Sequence, residues 1–149
     1  LAAVPPARWY AFPIHTYRPG ASVGGPNCVL VGDAAGADAL LGEGISFALE
    51  YGIEAAQAIA RARRARAFEF ADYQRRIASG PIGRKLARLA WAADRFYGRR
   101  SRLWFSLAGA SRRAQRTALA WYNGLEVLEG KSRTGLIWSA VRGVDLQRA

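Results

Sequence analysis

The chain has 149 residues, 22 basic and 11 acidic, for a net charge of +11, and it contains one cysteine, one histidine and 51% hydrophobic residues. This balance describes a globular protein with enough apolar material for one core, and it excludes a disulfide framework or a metal cluster built from Cys and His. No window reaches the roughly twenty consecutive apolar residues of a membrane span, and a lone thiol suits a reducing, cytoplasmic setting.

Residues 1–26 read as an extended lead-in that carries Trp9-Tyr-Ala-Phe-Pro-Ile14 and closes on a Gly/Pro/Ser-rich turn from Gly20 to Pro26. His15 follows that aromatic segment. No carboxylate partner is evident for it, so it reads as an exposed or hydrogen-bonded strand residue, and Tyr10 and Tyr17 have the same standing as proton donors.

Residues 27–62 form the most informative unit. Cys28 to Val31 is a short, largely β-branched apolar run that predicts a buried strand, with Cys28 as a small buried hydrophobe. Gly32 and Asp33 end it. Beyond Gly42, Ile45, Phe47, Ala48, Leu49, Ile53, Ala56 and Ile59 recur at spacings near three and four, which predicts a helix of about four turns beginning near Glu43 or Gly44. Gly36, Gly42 and Gly44 stand in the connection and at the helix mouth, where a missing β-carbon lets backbone approach a ligand. Unpaired N–H groups and the positive end of the helix dipole suit a phosphate, a carbonyl oxygen or an electron-rich ring edge. Asp33, at the carboxyl end of the strand, is placed to accept hydrogen bonds from sugar-like hydroxyls. Asp38 reads as a solvated loop acid and Glu43 as a first-turn residue that complements the dipole. These features together point to a nucleotide or sugar-phosphate site.

Charge then divides the chain. Residues 1–60 hold two basic and five acidic residues, whereas residues 61–149 hold twenty basic and six acidic. The boundary is Arg61-Ala-Arg-Arg-Ala-Arg66, read first as a solvated helix end, second as a contact for an anionic membrane surface, and last as a nucleic-acid contact. Residues 63–149 make a basic helical region. Phe68 to Leu128 predicts two or three amphipathic helices, with breaks near Ser79-Gly-Pro81, Gly98 and Gly109. Leu86, Leu89, Ala90, Ala93, Phe96 and Tyr97 form one apolar stripe; Ala114, Thr117, Ala118, Trp121, Tyr122 and Leu125 form another. Trp91, Trp104, Phe105, Trp121 and Trp138 interleave with Arg88, Arg99, Arg100, Arg102, Arg112, Arg113 and Arg116, a composition that suits a core surface or a lipid interface. Gly124 to Gly135 reads as a loop and Arg142 to Ala149 as a frayed tail.

The segment Gly32-Asp-Ala-Ala-Gly36, followed by Ala39 and by Gly42-Glu-Gly-Ile45, resembles the second flavin-contact motif of FAD-dependent oxidoreductases related to p-hydroxybenzoate hydroxylase and geranylgeranyl reductase. The resemblance covers Asn27 to Ile59. It implies an α/β fold, with a Rossmann-like FAD-binding unit incomplete in this chain and a mainly α C-terminal region. It implies FAD contacts at Gly32, Asp33, Ala34, Gly36, Gly42, Glu43, Gly44 and Ile45, with Asp33 on the ribityl chain and the amides of Gly42 to Ile45 facing the pyrimidine edge of the isoalloxazine. Gly36 stands where the hydroxylases usually have His and the reductases Gly, which leans the resemblance towards the reductases. Trp9 to Ile14 is similar to the aromatic segment that borders their substrate cavity, which implies substrate contacts at Tyr10, Phe12 and Pro13. Arg8 and Tyr10 depart from that segment, and Ala39 replaces a usual proline, making the turn less rigid.

No Gly-x-Gly-x-x-Gly fingerprint follows a strand, so the adenosine-diphosphate half of FAD is expected to be held by a preceding portion or by a partner. The implied activity is reduction of C=C bonds in a hydrophobic small molecule, with NAD(P)H or another reductant as electron source. No catalytic residue is assigned, because a flavin performs the hard chemistry itself. Two alternatives remain: a flavin monooxygenase, which would turn over with O2, and a non-catalytic basic helical module that binds anionic membrane or nucleic acid.

Overall fold

A computed structural model describes residues 12–122, 134, 135 and 137, and it is mainly helical. Two-residue strands β1 (Gly24–Gly25) and β2 (Cys28–Val29) pair antiparallel, with Gly24 opposite Val29 and Gly25 opposite Cys28. Pro26 and Asn27 turn between them, Asn27 taking the left-handed conformation at φ 57° that asparagine tolerates. A single 3-10 turn, Gly32–Ala34, leads through a buried loop to α1 (Ile45–Ala65). Four more helices follow: α2 (Ala71–Ser79), α3 (Pro81–Phe96), α4 (Ser101–Ala110) and α5 (Arg112–Tyr122).

Four expectations are corrected. The predicted buried strand is a two-residue arm of a ribbon, and among the described residues no parallel sheet accompanies it, so no Rossmann fold is shown. With neighbours on one edge only, β2 leaves Cys28 exposed rather than buried, and Val31 is also exposed. Among the described residues between Phe68 and Leu128 there are four helices instead of two or three, because the turns at Gly80 and 97–100 and a one-residue break at Ser111 each interrupt the hydrogen-bond ladder. Thr134 and Gly135 are helical, so the expected loop stops short of them. The expected tail lies outside the described residues.

Local chemistry explains the boundaries. α1 ends at Arg66, whose left-handed φ of 53° lets the Ala67 N–H reach back to the Ala62 carbonyl, while Arg63 and Arg64 sit in the last turn where the dipole favours cations. The arginine run at 61–66 is thus a helix end, and Arg61 pairs with Asp72 at 2.9 Å. Pro81 opens α3 at a position where its missing N–H costs nothing. Ser111 caps α5: its Oγ accepts the Ala114 N–H at 3.2 Å.

One core unites the lead-in, the ribbon segment and helices α1 to α3. Tyr51 and Phe47 from α1, Tyr73 and Ile77 from α2, and Leu86 and Leu89 from α3 meet Val23 from the segment before β1 and Tyr17 from the lead-in. Gln74 holds the ribbon to α2: its Oε1 accepts the Val23 and Gly24 N–H groups at 2.6 and 3.1 Å, and its Nε2 donates to the Ala21 carbonyl at 3.0 Å. The first apolar stripe of the basic region is largely core, with Leu86, Leu89 and Ala93 buried and Tyr97 exposed. In the second, Ala118 and Tyr122 face outward.

The core tyrosines differ in a testable way. Burial pushes the Tyr73 hydroxyl up to about 12, and it donates to the Leu30 carbonyl at 2.7 Å. Burial also raises Tyr51, with Tyr17 and Tyr73 adding to the effect, but its hydroxyl has no partner among the described residues. A net hydrogen bond contributes about 1 kcal/mol, whereas an unmatched buried hydroxyl contributes nothing to offset its desolvation. Tyr73→Phe is therefore expected to lower unfolding free energy by about 1 kcal/mol, and Tyr51→Phe to leave it unchanged or raise it. Urea denaturation of both variants measures the difference.

Candidate functional site

The 3-10 turn at Gly32–Ala34 seats against the first turns of α1. A β-carbon at Gly32 would meet the Ala48 β-carbon at 3.4 Å, and one at Gly44 would lie 2.8 Å from Asp33 Oδ1. The Asp33 carboxylate thus abuts the N-cap of α1, and it is exposed. Any side chain at Gly44 would occupy the space that this carboxylate borders.

The connection between turn and helix is held from two sides. Ala37 donates to the His15 carbonyl and accepts the Tyr17 N–H, both at 2.9 Å, in a parallel bridge with the lead-in. Gly36 lies flush against that lead-in: at φ +110°, a β-carbon there would come within 2.6 Å of the Tyr17 backbone. Asp38, expected to be solvated, is instead fully buried. Its carboxylate accepts the Leu40 N–H at 2.7 Å and the Leu41 N–H at 3.0 Å, its carbonyl accepts the Gly42 N–H, and its own N–H donates to the Glu43 carbonyl. The reason for the correction is local: the Asp side chain turns the chain after itself, as aspartate does in Asx-turns, and Gly42 at φ +71° completes the return. Burial pushes the Asp38 carboxyl up against the pull of the two N–H groups, and the Glu43 carboxylate adds to the push. Tyr97 reaches from the end of α3 to donate to the Leu40 carbonyl at 2.6 Å.

Glu43 caps the helix. Its carboxylate accepts the Ser46 N–H at 3.0 Å and the Ser46 hydroxyl at 2.6 Å. Burial alone would raise its carboxyl, but the Ser46 hydroxyl, the Ser46 and Ile45 N–H groups and the Lys85 ammonium together hold it below the usual glutamate value. Of the backbone amides expected at the helix mouth, Gly42 is therefore spent on Asp38 and Ile45 faces Glu43, whereas the Glu43 and Gly44 N–H groups have no partner among the described residues. Ala34 and Ile45 are exposed on either side of this mouth.

The structure thus brings together Gly32, Asp33, Gly44 and Ile45, and places Gly36 and Gly42 in the loop that frames them. Phe12 and Pro13 are exposed, and Ile14 approaches the mouth, where a β-carbon at Gly42 would meet its Cδ1 at 3.8 Å. Tyr10 lies outside the described residues. His15 is exposed and joins the site only through its carbonyl. Sequence reasoning missed the structural role of Asp38 and the Tyr97 tether. Asp38 followed four residues later by Gly42 was the available signal for the first; nothing marked the second.

α1 presents two apolar faces. Phe47, Tyr51, Ala55, Ala58 and Ala62 enter the core, whereas Ile45, Leu49 and Ile53, one turn apart, are 79%, 68% and 61% exposed. Val31 and Leu41 are exposed beside the helix start. Among the described residues no group of acids, cysteine and histidine could hold a metal ion, and no helix is long and apolar enough to cross a membrane. Comparison with family models, with curated proteins and with solved structures finds no match.

Two outcomes follow. Asp38→Ala strands two N–H groups inside the loop and is expected to destabilise the protein by about 2 kcal/mol, measured by thermal or urea unfolding. Because the folded state lowers the Glu43 carboxyl, the stability it contributes is present above the unfolded value of about 4.3 and fades as pH falls through the folded one. The acid-side loss of melting temperature is expected to shrink in Glu43→Gln, read from melts across that pH range.

Proposed function

We propose that this chain is the flavin-contacting, C-terminal part of an FAD-dependent oxidoreductase that reduces C=C bonds in a hydrophobic substrate, with NAD(P)H or another reductant supplying electrons. The observation that carries the reading is the exposed Asp33 carboxylate set against a helix mouth whose Glu43 and Gly44 N–H groups have no partner among the described residues and whose N-cap lacks a side chain. An acceptor beside two donors matches the hydroxylated ribityl chain and the pyrimidine edge of a flavin. The positive end of α1 would favour negative charge at that edge. Bound FAD would supply the two-electron chemistry; the protein's part is to bind, orient and shield it.

Three features support the reading. Gly36 admits no side chain without displacing the Tyr17 backbone, which agrees with the reductase-like glycine rather than the histidine of the hydroxylases. Ile14 brings an apolar side chain near Gly42, and the exposed Phe12 and Pro13 precede it in the chain, a lead-in suited to a hydrophobic substrate. The outward face Ile45–Leu49–Ile53 would pack against a nucleotide-binding portion outside these residues, and fully burying each such side chain is worth about 1.5–3 kcal/mol. That portion would hold the adenosine-diphosphate end.

The test uses the polypeptide encoded by the uninterrupted reading frame that contains these residues, purified and supplied with FAD. Wild type is expected to bind flavin, and Asp33→Ala to bind it ten- to a hundredfold more weakly with an unchanged melt, since a hydrogen bond to a charged group contributes about 1.5–3 kcal/mol. A wild-type protein that stays colourless, or an Asp33→Ala protein with full affinity, overturns the proposal.

A further inference from the structure

We propose that helices α4 and α5 form a docking surface for an anionic lipid bilayer, independent of the flavin site. No acidic residue occurs between Asp94 and Glu126, while Arg99, Arg100, Arg102, Arg112, Arg113 and Arg116 fall in that stretch and all six are exposed. Arg99 and Arg100 lie between the end of α3 and the start of α4, Arg102 is in the first turn of α4, and Arg112, Arg113 and Arg116 fall in the first half of α5. Among the described residues none of the six forms an ion pair with an acid, and an external anionic surface would offset their mutual repulsion.

The same helices expose apolar side chains. α4 buries no residue completely, and Leu103 and Phe105 are 53% and 55% exposed. On α5, Arg112, Arg116 and Leu119 follow at spacings of four and three, so they share one face, with Leu119 63% exposed and Tyr122 following a turn later at 77%. Arginines beside outward aliphatic and aromatic groups match the chemistry of a helix lying in a lipid headgroup region, cations on phosphates and apolar tips in the acyl boundary. A nucleic acid would use the arginines and the rings but offers no apolar phase for Leu103 and Leu119, which favours the bilayer.

Sedimentation of the whole chain with vesicles tests this, comparing phosphatidylcholine alone with phosphatidylcholine containing phosphatidylglycerol. Binding is expected only to the anionic vesicles and is expected to weaken with salt. The triple variant Arg112→Gln, Arg113→Gln, Arg116→Gln is expected to lose about a hundredfold, at roughly fivefold per arginine, and the corresponding lysine variant to keep binding. Leu119→Ser with Tyr122→Ser is expected to release the protein at physiological salt, and Asp33→Ala to bind as wild type does. Equal binding to neutral vesicles, binding unaltered in the glutamine variant, or tighter binding to single-stranded RNA than to anionic vesicles at the same salt overturns the proposal. If the glutamine variant does not fold, the lipid and salt dependence of the wild type decides alone.

Discussion

The buried carboxylate of Asp38 is the constraint on which the site depends. An ionisable group fully withdrawn from water is costly, and its raised pKa reflects that cost. It is tolerated because both oxygens are engaged: they collect the Leu40 and Leu41 N–H groups, which would otherwise be unsatisfied in a tight loop. With the backbone bonds to Gly42 and Glu43, residues 38–43 close into a small rigid unit. That unit delivers Glu43 and Gly44 to the start of α1 in a fixed orientation. The turn bearing Asp33 is fixed from the other side, because Ala37 bridges the lead-in and Gly36 lies flush on Tyr17. Turn and helix mouth are therefore held relative to each other by backbone, and the Asp33 carboxylate stands exposed beside that mouth.

α1 is the second organising element, and its two faces have opposite fates. The inward face pairs Phe47 and Tyr51 with a run of alanines, small enough for α2 and α3 to pack closely. The outward isoleucines and leucine gain nothing in the described structure, and a helix apolar on both sides is ordinarily enclosed on both. Their position beside the site joins two properties that folding alone does not require: an exposed apolar stripe and an open polar mouth at its N-terminal end.

The start of α1 was legible in the sequence, because the glycines at 42 and 44 and the apolar spacing beyond them have no other simple reading. That the Asp33 carboxylate lies directly against Gly44 is a contact that the sequence alone did not show. Nor was the strand legible. Cys28 to Val31 has strand composition, but composition cannot reveal that its partner is a two-residue ribbon or that Cys28 faces solvent. Apolar spacing also assigned Ile45 and Ile53 to the same helix face pattern as Phe47, since a sequence rich in apolar residues at both i+3 and i+4 does not say which face meets the core. Asp38 was misjudged because acids are buried rarely, and only the local turn geometry makes this one tolerable. The Tyr97 tether joins residues far apart in sequence, a contact that periodicity does not encode.

The charge asymmetry has a structural logic that ends before the last helices. Acids of α1 face cations of the next two helices: Glu50 lies 3.5 Å from Lys85 and Glu54 3.8 Å from Arg76, while Asp72 answers Arg61 across the turn. Such partly exposed pairs contribute little individually, but they place charge of the right sign opposite on α1, α2 and α3. No acid occurs between Asp94 and Glu126. Between them, the exposed arginines around α4 and α5 have no acidic partner among the described residues. Like charges brought together without acids repel one another, so this part of the chain differs in electrostatic design from the acid-balanced helices α1 to α3.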